Sequence, residues 1–287
     1  MTTATRGAAL ITGGSRRIGR ALSLAAADAG FDVAIHVRRI DPDAESALAE
    51  VQARGRRGAV LSADLREGSA GELLDAAAAR LGPVTLLVNS ASLFEADTFE
   101  TMDRASWDAH LETNLRAPLE LAQAFAARLP AAPGGLIVNI LDQRVLDPAP
   151  EFFSYAVSKS ALWAATRMLA RRLAPRIRVN AIGPGPTLAS IHQSDADFAA
   201  EVATTLLKHA VDPAEIGAAL RYLIDARSVT GQLIAVDAGQ HDDRLSRIEM
   251  GDQLRRVPHR HVGLRIGQGI GDVPRSATHV LDLGDAF

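Results

Sequence analysis

The sequence contains no cysteine, which excludes disulfides, thiolate metal sites, iron–sulfur clusters and cysteine nucleophiles. Aromatic residues make up only 4 % of the 287 residues, and two of them are tyrosines. Neither sign of charge dominates, because 31 Lys and Arg stand against 34 Asp and Glu, for a formal net charge of -3. Without a basic surplus, the composition argues against a nucleic-acid partner or an anionic membrane surface.

Long hydrophobic runs are also missing. The longest uncharged stretches, such as 81–94, fall short of the ~20 residues that span a bilayer. Arg16 and Arg17 interrupt the apolar start before the core of a signal peptide could develop. Since 47 % of the residues are hydrophobic, the chain can bury one sizeable core. We expect a soluble, cytoplasmic protein that binds a small-molecule substrate and has no membrane partner and no metal.

Short apolar runs alternate with longer amphipathic stretches along the chain. The runs are rich in Val, Ile and Leu without strict alternation, as in strands of a parallel sheet covered on both faces. Strands are predicted at 8–12, 32–37, 59–62, 86–89, 136–140, 178–182 and 233–236, and helices at 17–29, 43–54, 69–80, 103–128, 154–174 and 213–225. Repeated β–α units predict one doubly wound α/β domain with a parallel sheet over residues 1–240. Residues 241–287 are poor in apolar side chains and are predicted to form an irregular C-terminal extension.

A glycine-rich turn follows the first strand and leads directly into the first helix. Backbone N–H groups of such a turn can approach a pyrophosphate, with the positive end of the helix dipole behind them. The predicted dinucleotide-binding residues of this turn are Gly13, Ser15, Arg16, Arg17, Ile18 and Gly19. Arg17 replaces the middle glycine of a three-glycine pattern. It can reach a phosphate or a substrate edge, or lie on the surface of the first helical turn.

The second strand ends in His36-Val37-Arg38-Arg39, the region where dinucleotide-binding folds recognise the ribose. An acidic residue there would bind the 2′-hydroxyl of NAD, whereas arginine suits the 2′-phosphate of NADP. His36, Arg38 and Arg39 therefore favour NADPH/NADP. Asp41 argues the other way, but it precedes Pro42 and is more simply a helix cap. At the end of the third strand, Asp64, followed by Leu65, fits a contact to the adenine amine and fits helix capping equally well.

Tyr155 and Lys159 stand four residues apart, which places them on one face of a predicted helix. A cation near a phenol stabilises the phenolate and lowers the tyrosine pKa, so the pair can exchange protons near neutrality. Together with the glycine-rich turn, this pair resembles the short-chain dehydrogenase/reductase family over roughly residues 7–240. Further marks of the family are Asn89-Ser90-Ala91-Ser92, Asn114, Asn180, Pro184-Gly185 and Asp237-Ala238-Gly239.

This resemblance implies a Rossmann-type enzyme in which Tyr155 donates or accepts a proton. Lys159 would bind the nicotinamide ribose and tune the phenol, and Asn114 would hold a water of the proton relay. Further cofactor contacts are expected at Asn89, Ser90, Ala91, Pro184, Gly185 and Thr187. Asn89 would brace the central strands, and both Asn89 and Asn114 are also plausible as structural amides. The family further implies a homotetramer formed through 103–128, 154–174 and the last strand.

One departure from the family narrows the expected chemistry. Thirteen residues before Tyr155, where the family usually has a serine that binds the substrate carbonyl, this chain has Asp142. A carboxylate would repel a developing alkoxide, but it can bind the N–H edge of a nitrogen heterocycle or feed protons to a ring nitrogen. Asp142 could also be a solvated loop residue. Asp142, Arg17 and the stretch Asn89-Ser90-Ala91-Ser92-Leu93-Phe94 resemble pteridine reductases and bacterial dihydromonapterin reductases.

The second resemblance implies hydride transfer from NADPH to a carbon–nitrogen double bond of a dihydropterin, with Tyr155 and Asp142 as the proton source. Phe94 would stack on the pterin opposite the nicotinamide, although it could also be a core residue. Ser92 and Arg17 would contact the pterin and the cofactor phosphate. Two alternatives stay open: reduction of a ketone, sugar or 3-oxoacyl substrate, and a non-catalytic NADP-binding sensor.

Residues 188–210 are expected to form the loop and helix that close over the substrate. Candidates for contacts of this segment are Ile191, His192, Phe198 and Leu206. The extension 241–287 either packs across a neighbouring subunit or is a mobile tail.

Overall fold

Seven parallel strands form the centre of the structure. The computed structural model describes residues 5–68, 70–132, 134–190 and 192–242. The strands are β1 (Ala8–Thr12), β2 (Asp32–Val37), β3 (Gly58–Ser62), β4 (Val84–Asn89), β5 (Gly135–Ile140), β6 (Ile177–Pro184) and β7 (Leu233–Val236). Their order in the sheet is β3-β2-β1-β4-β5-β6-β7, and every adjacent pair is parallel. The predicted doubly wound sheet is therefore confirmed, and each predicted strand is present.

Helices cover both faces of this sheet. They are α1 (Arg17–Asp28), α2 (Pro42–Ala53), α3 (Ala70–Leu81), α4 (Arg104–Leu111), α5 (Ala117–Arg128), α6 (Phe153–Leu173), α7 (Asp195–Thr204) and α8 (Pro213–Asp225). One apolar layer joins the sheet to α1, α2 and α8, and a second joins it to α3, α5 and α6. Because both faces are covered, β1, β2 and β4 are buried along their whole length, which explains their unbroken apolar sequences.

Helix boundaries follow local chemistry that is visible in the sequence. Asp41 caps α2 by accepting a hydrogen bond from Ala44 N at 3.0 Å, with Pro42 at the first helical position. Asp212 caps α8 in the same way and forms a reciprocal pair with Glu215. The capping interpretation of Asp41 is thus confirmed, and this carboxylate near the carboxyl end of β2 has a structural role.

The single helix predicted over 103–128 is wrong in one respect, since a π-helical turn at Glu112–Arg116 separates α4 from α5. Asn114 lies in this turn, is fully buried, and hydrogen-bonds with both backbone groups of Leu93. The widened turn brings the Asn114 amide to the loop that contains Leu93. This contact is distant in sequence, so the local hydrophobic pattern does not predict it.

The segment expected to close over the substrate contains α7, which begins with a capping box formed by Ser194 and Asp197. Ile191 lies outside the described residues, as does the predicted extension 241–287 except for its first two residues. Among the described residues, no helix is long and apolar enough to cross a membrane.

Candidate active site

A cavity of about 640 Å³ opens at the carboxyl ends of the strands, where doubly wound folds bind their ligands. The cavity is lined by most of the sequence-predicted site residues: Gly13, Arg16, Arg17, Ile18, Gly19, Ser90, Ala91, Ser92, Phe94, Asp142, Tyr155, Lys159, Pro184, Gly185 and Thr187. The remaining predicted residues are not part of this lining: Ser15, His36, Arg38, Arg39, Asp64, Leu65, Asn89 and Asn114.

The floor of the cavity is the turn between β1 and α1. A Cβ atom on Gly19 would stand 2.0 Å from the Gly13 carbonyl oxygen, so only glycine allows α1 to begin this close to the turn. The Thr12 hydroxyl oxygen accepts hydrogen bonds from the backbone N–H groups of Ser90 and Ala91 at 2.9 and 3.0 Å. These contacts fasten the turn to the end of β4 and leave a backbone cradle that suits a phosphate.

Arg17 points across the cavity rather than lying on the surface of α1. Its guanidinium donates to the carbonyl oxygens of Leu188 and Ala189 at 2.8 and 2.9 Å. The backbone at Arg17 has a φ of 49°, a left-handed conformation that costs a non-glycine residue about 1–2 kcal/mol. This side chain therefore links the turn between β1 and α1 to the loop that follows β6.

His36 braces the glycine-rich turn from below. It is buried, its Nδ1 accepts from Gly13 N at 3.4 Å, and its Nε2 lies 3.0 Å from the Ala63 carbonyl oxygen. Burial lowers the pKa of His36, which keeps the ring neutral and able to accept at Nδ1. His36 thus supports the dinucleotide turn through the backbone of Gly13 and Ala63.

Charged side chains surround the neighbouring ends of β2 and β3. Arg16 forms ion pairs with Asp41 at 2.7 Å and with Asp43 at 2.6 Å. The side chains of Arg38 and Arg39 are exposed, and among the described residues neither has an ion pair or hydrogen bond.

Asp64 follows β3 and accepts from the backbone N–H of Arg66 at 3.0 Å, capping the short 3-10 turn Leu65–Glu67. Hydrogen bonding from the Arg66 side chain lowers the pKa of Asp64 to about 2. Of the two roles considered for Asp64, capping is the one that its contacts display.

Tyr155 and Lys159 lie in α6, whose start is capped by Asp97 through the backbone N–H of Ser154 at 3.0 Å. The Tyr155 hydroxyl donates to Asp142 Oδ2 at 2.9 Å, and Lys159 Nζ donates to the Ile140 carbonyl oxygen at 2.9 Å. Lys159 Nζ also lies 5.6 Å from the centre of the Tyr155 ring. The structure thus brings together three of the four residues predicted to be catalytic.

Burial shapes the electrostatics of this group. It raises the pKa of Tyr155 well above its usual value, and the Asp142 carboxylate raises it further, while Arg144 acts in the opposite direction. Burial lowers the pKa of Lys159 to about 8, against an opposing effect of Asp142. At neutral pH the phenol therefore keeps its proton.

The two predicted asparagines both make hydrogen bonds that connect the elements around the cavity. Asn89 donates to Asn139 Oδ1 at 2.8 Å, and Asn139 donates in turn to the Thr166 hydroxyl at 2.9 Å, which links β4, β5 and α6. The Asn114 amide nitrogen donates to the Leu93 carbonyl oxygen at 2.9 Å and to the Ser158 hydroxyl at 3.0 Å. Asn114 thereby holds the Ser92–Phe94 loop and α6 at a fixed spacing, one turn from Tyr155.

Phe94 lies inside the cavity and is not a plain core residue. Its ring stacks on Phe152 with 4.3 Å between centroids and packs edge-on against Tyr155 at 4.7 Å. Phe152, which has a φ of 54°, and Arg144, whose guanidinium carbon lies 5.5 Å from the Phe152 ring centre, were not predicted from the sequence. The pair Phe152-Phe153 just before Tyr155 was the available signal, in a chain with only 8 phenylalanines.

The segment after β6 is joined to the cavity by polar contacts. His192 Nε2 lies 3.2 Å from the Phe94 carbonyl oxygen and 3.3 Å from a carboxylate oxygen of Glu95. Glu201 in α7 accepts from Gln240 at 3.1 Å, and Gln240 accepts from Gln143 at 2.9 Å. These bonds connect α7, at the edge of the cavity, to the short turn that contains Gln143.

Comparison with known proteins agrees with this geometry. The short chain dehydrogenase family matches residues 7–199. FolM alternative dihydrofolate reductase 1 from Brucella canis, crystallised with NADP, is 46 % identical and superposes with a TM-score of 0.80 over 83 % of this chain and 94 % of that one. A short chain dehydrogenase from Burkholderia cenocepacia in complex with NADP is 31 % identical, with a TM-score of 0.77 over 82 % of this chain and 98 % of that one.

Other relatives carry a different activity in their names. The 3-oxoacyl-[acyl-carrier-protein] reductase FabG from Staphylococcus epidermidis is 27 % identical over 239 residues, which are 81 % of this chain and 98 % of that protein. Since the family match covers more than half of the sequence and the glycine turn, Tyr155 and Lys159 share one cavity, the chain belongs to the short-chain dehydrogenase family of oxidoreductases.

Proposed function

We propose that this protein uses NADPH to reduce the carbon–nitrogen double bond of a dihydropterin, giving the tetrahydropterin. The observation that carries the proposal is the hydrogen bond from Tyr155 to Asp142, in the place where the family usually has a carbonyl-binding serine. A carboxylate at that point suits protonation of a ring nitrogen and opposes formation of an alkoxide. The similarity to FolM, which is named an alternative dihydrofolate reductase, supports it.

The cavity fits a dinucleotide cofactor. A Cβ on Gly13 would press on the Ala91 backbone and one on Gly19 on the Gly13 carbonyl, so glycine keeps the turn tight enough for its N–H groups to face a phosphate. The exposed guanidinium groups of Arg38 and Arg39 suit the 2′-phosphate of NADP. Ser90, Pro184 and Thr187 would line the nicotinamide end, where Lys159 would hold the ribose. When bound, NADPH supplies the hydride.

The residues of the chain then supply orientation and the proton. Phe94 offers an aromatic face on which a flat heterocycle can stack, and Ser92 lies beside it in the cavity. The Tyr155 hydroxyl gives its proton to the ring nitrogen as the neighbouring carbon accepts the hydride. Lys159 stabilises the phenolate that forms, and Asp142 steadies the hydroxyl and passes on the replacement proton.

Reduction of a carbonyl substrate is the second candidate, favoured by the similarity to the 3-oxoacyl reductase of S. epidermidis. The two functions separate in one assay, in which NADPH oxidation is followed with dihydropterins and, in parallel, with ketones, sugars and a 3-oxoacyl thioester. Turnover of dihydropterins alone supports the proposal. Turnover of carbonyl substrates alone would replace it with the second candidate.

We further propose a cytoplasmic homotetramer assembled along α4, α5 and α6, as in the family this chain resembles. A groove lined by Leu115, Leu119 and Leu169 runs between these helices and suits such a contact. Residues 1–240 would form the catalytic domain, and the extension 241–287 would pack against a neighbouring subunit. Removal of residues 243–287 tests this arrangement, because it is expected to alter the subunit count measured by light scattering.

A further inference from the structure

Arg144 has a donor with nothing to bind. Its Nη1 is buried and, among the described residues, has no hydrogen-bond partner. The side chain lines the cavity, and its guanidinium carbon lies 5.5 Å from the centre of the Phe152 ring. A buried donor left unpaired is costly, and more so when it is charged. The Arg144 guanidinium is therefore short of a hydrogen-bond acceptor.

The position of Arg144 is fixed from two sides. Its backbone N–H donates to Asp142 Oδ1 at 2.9 Å, in the short 3-10 turn Gln143–Val145 that follows β5. Its side chain rests on Phe152, which stacks on Phe94. The guanidinium is therefore held beside the reacting groups, and its electrostatic effect on Tyr155 agrees with that closeness.

We infer that Arg144 determines substrate specificity by donating, from the side of its guanidinium that lines the cavity, to a carbonyl oxygen on the ring of the bound heterocycle. This inference rests on the proposed function. In a 7,8-dihydropterin, the carbonyl carbon C4 and the nitrogen N5 that is protonated are attached to the same ring carbon, so both project from one edge. A site that aims Tyr155 and Asp142 at N5 therefore places a neighbouring donor next to the oxygen on C4.

Arg144 is therefore expected to distinguish ligands by the group that they carry on C4. A 2-amino-4-oxo ring presents a lone pair to Arg144, whereas a 2,4-diamino ring presents an N–H group and sets two donors against each other. A hydrogen bond to a charged donor changes affinity by about tenfold to a hundredfold. The wild-type protein is thus expected to bind the 4-oxo ring at least about tenfold more tightly than its 4-amino counterpart.

The test measures binding, not turnover. Dissociation constants of 6-methyl-7,8-dihydropterin, its 2,4-diamino counterpart and dihydrofolate are measured by calorimetry on the complex with NADP⁺. The proteins compared are the wild type, Arg144→Met, Arg144→Lys and Phe152→Leu. Arg144→Met should abolish the 4-oxo preference, Arg144→Lys should restore part of it, and Phe152→Leu should keep it because the guanidinium remains. Unchanged NADP⁺ affinity in each variant shows that the fold is intact.

Three outcomes would overturn the inference. Equal weakening of both rings by Arg144→Met would mean that Arg144 only packs against Phe152. A loss confined to dihydrofolate would mean that it binds the carboxylates of the tail. Equal binding of both rings by the wild type would remove the inference but leave the pterin function standing, whereas failure to bind any pteridine would remove both.

Discussion

The hydroxyl of Tyr155 donates to Asp142 Oδ2 across 2.9 Å, with both residues lining the cavity at the end of β5. This contact joins a buried acid, whose pKa is raised well above its usual value, to a carboxylate. A hydroxyl in place of Asp142 would leave the tyrosine free to share a carbonyl oxygen. The carboxylate instead accepts the hydrogen bond of the phenol, which is the arrangement that the proposed protonation of a ring nitrogen uses.

Asp142→Ser is expected to reduce turnover of a dihydropterin by about a hundredfold or more, because general acid–base assistance contributes about that much. Turnover of carbonyl substrates should not be lost in parallel. The measurement is kcat/KM from NADPH oxidation on both substrate classes. Asp108→Ser, which removes an exposed aspartate on α4, is the matched control and should behave as the wild type. Preserved or improved dihydropterin turnover in Asp142→Ser would contradict the role given to the carboxylate.

The alkaline limb of the pH profile, where kcat/KM falls as the pH rises, should reflect the deprotonation of Lys159. Burial lowers the pKa of Lys159 to about 8, so the ammonium is present below that pH and is lost as the pH rises through it. We expect kcat/KM to fall above about pH 8, because the neutral amine no longer stabilises the phenolate. Asp142 raises the pKa of Lys159, so Asp142→Asn should move the limb to lower pH. A limb that moved upward, or stayed in place, would contradict this assignment.

Arg17→Gly should loosen the loop at Leu188 and Ala189 without destabilising the fold. The change relieves a left-handed backbone, a gain of about 1–2 kcal/mol, and it removes two hydrogen bonds that contribute about 1 kcal/mol each. We expect an unchanged Tm, faster thermolysin cleavage between 188 and 198, and a KM for the pterin raised about tenfold. Arg17→Lys keeps the charge, so its cleavage rate and its KM should lie between those of the wild type and those of Arg17→Gly. Unaltered cleavage and KM would show that the link is not needed.

Cofactor choice should depend on Arg38 and Arg39. Both side chains are exposed at the end of β2, where dinucleotide-binding folds recognise the ribose, so a 2′-phosphate is expected to be their partner. The double change to alanine should weaken NADPH binding by about tenfold to a hundredfold, because hydrogen bonds between charged groups contribute that much. The affinity for NADH should not change. Arg54→Ala, on the end of α2, is the control, and an equal loss for both cofactors would contradict the prediction.

Most of the sheet and several helix ends could be predicted because their signals are local. The apolar runs of β1 and β2 and the caps Asp41 and Asp212 involve residues within one turn or one strand. The π-helical turn at Glu112–Arg116 could not be predicted, since it exists to place Asn114 against a loop 21 residues earlier. Long-range pairing of this kind leaves no periodic pattern.

The site residues that could be predicted differ from those that could not in the same way. Tyr155 and Lys159 were found because residues four apart share one face of a helix, and Asp142 was found because it stands where the family that the chain resembles usually has a serine. Phe152 and Arg144 were missed because their importance depends on the stack with Phe94, 58 residues before Phe152. The target of Arg17, in a loop 171 residues away, also required the structure.

The most direct test of the account is the NADPH-dependent reduction of 7,8-dihydropterins by the full-length protein, followed by absorbance beside a panel of ketones, sugars and a 3-oxoacyl thioester. The account predicts turnover of dihydropterins that disappears in Tyr155→Phe, which keeps the ring packed on Phe94 but lacks the donated proton. No turnover of any dihydropterin, together with turnover of a carbonyl substrate, would contradict the account.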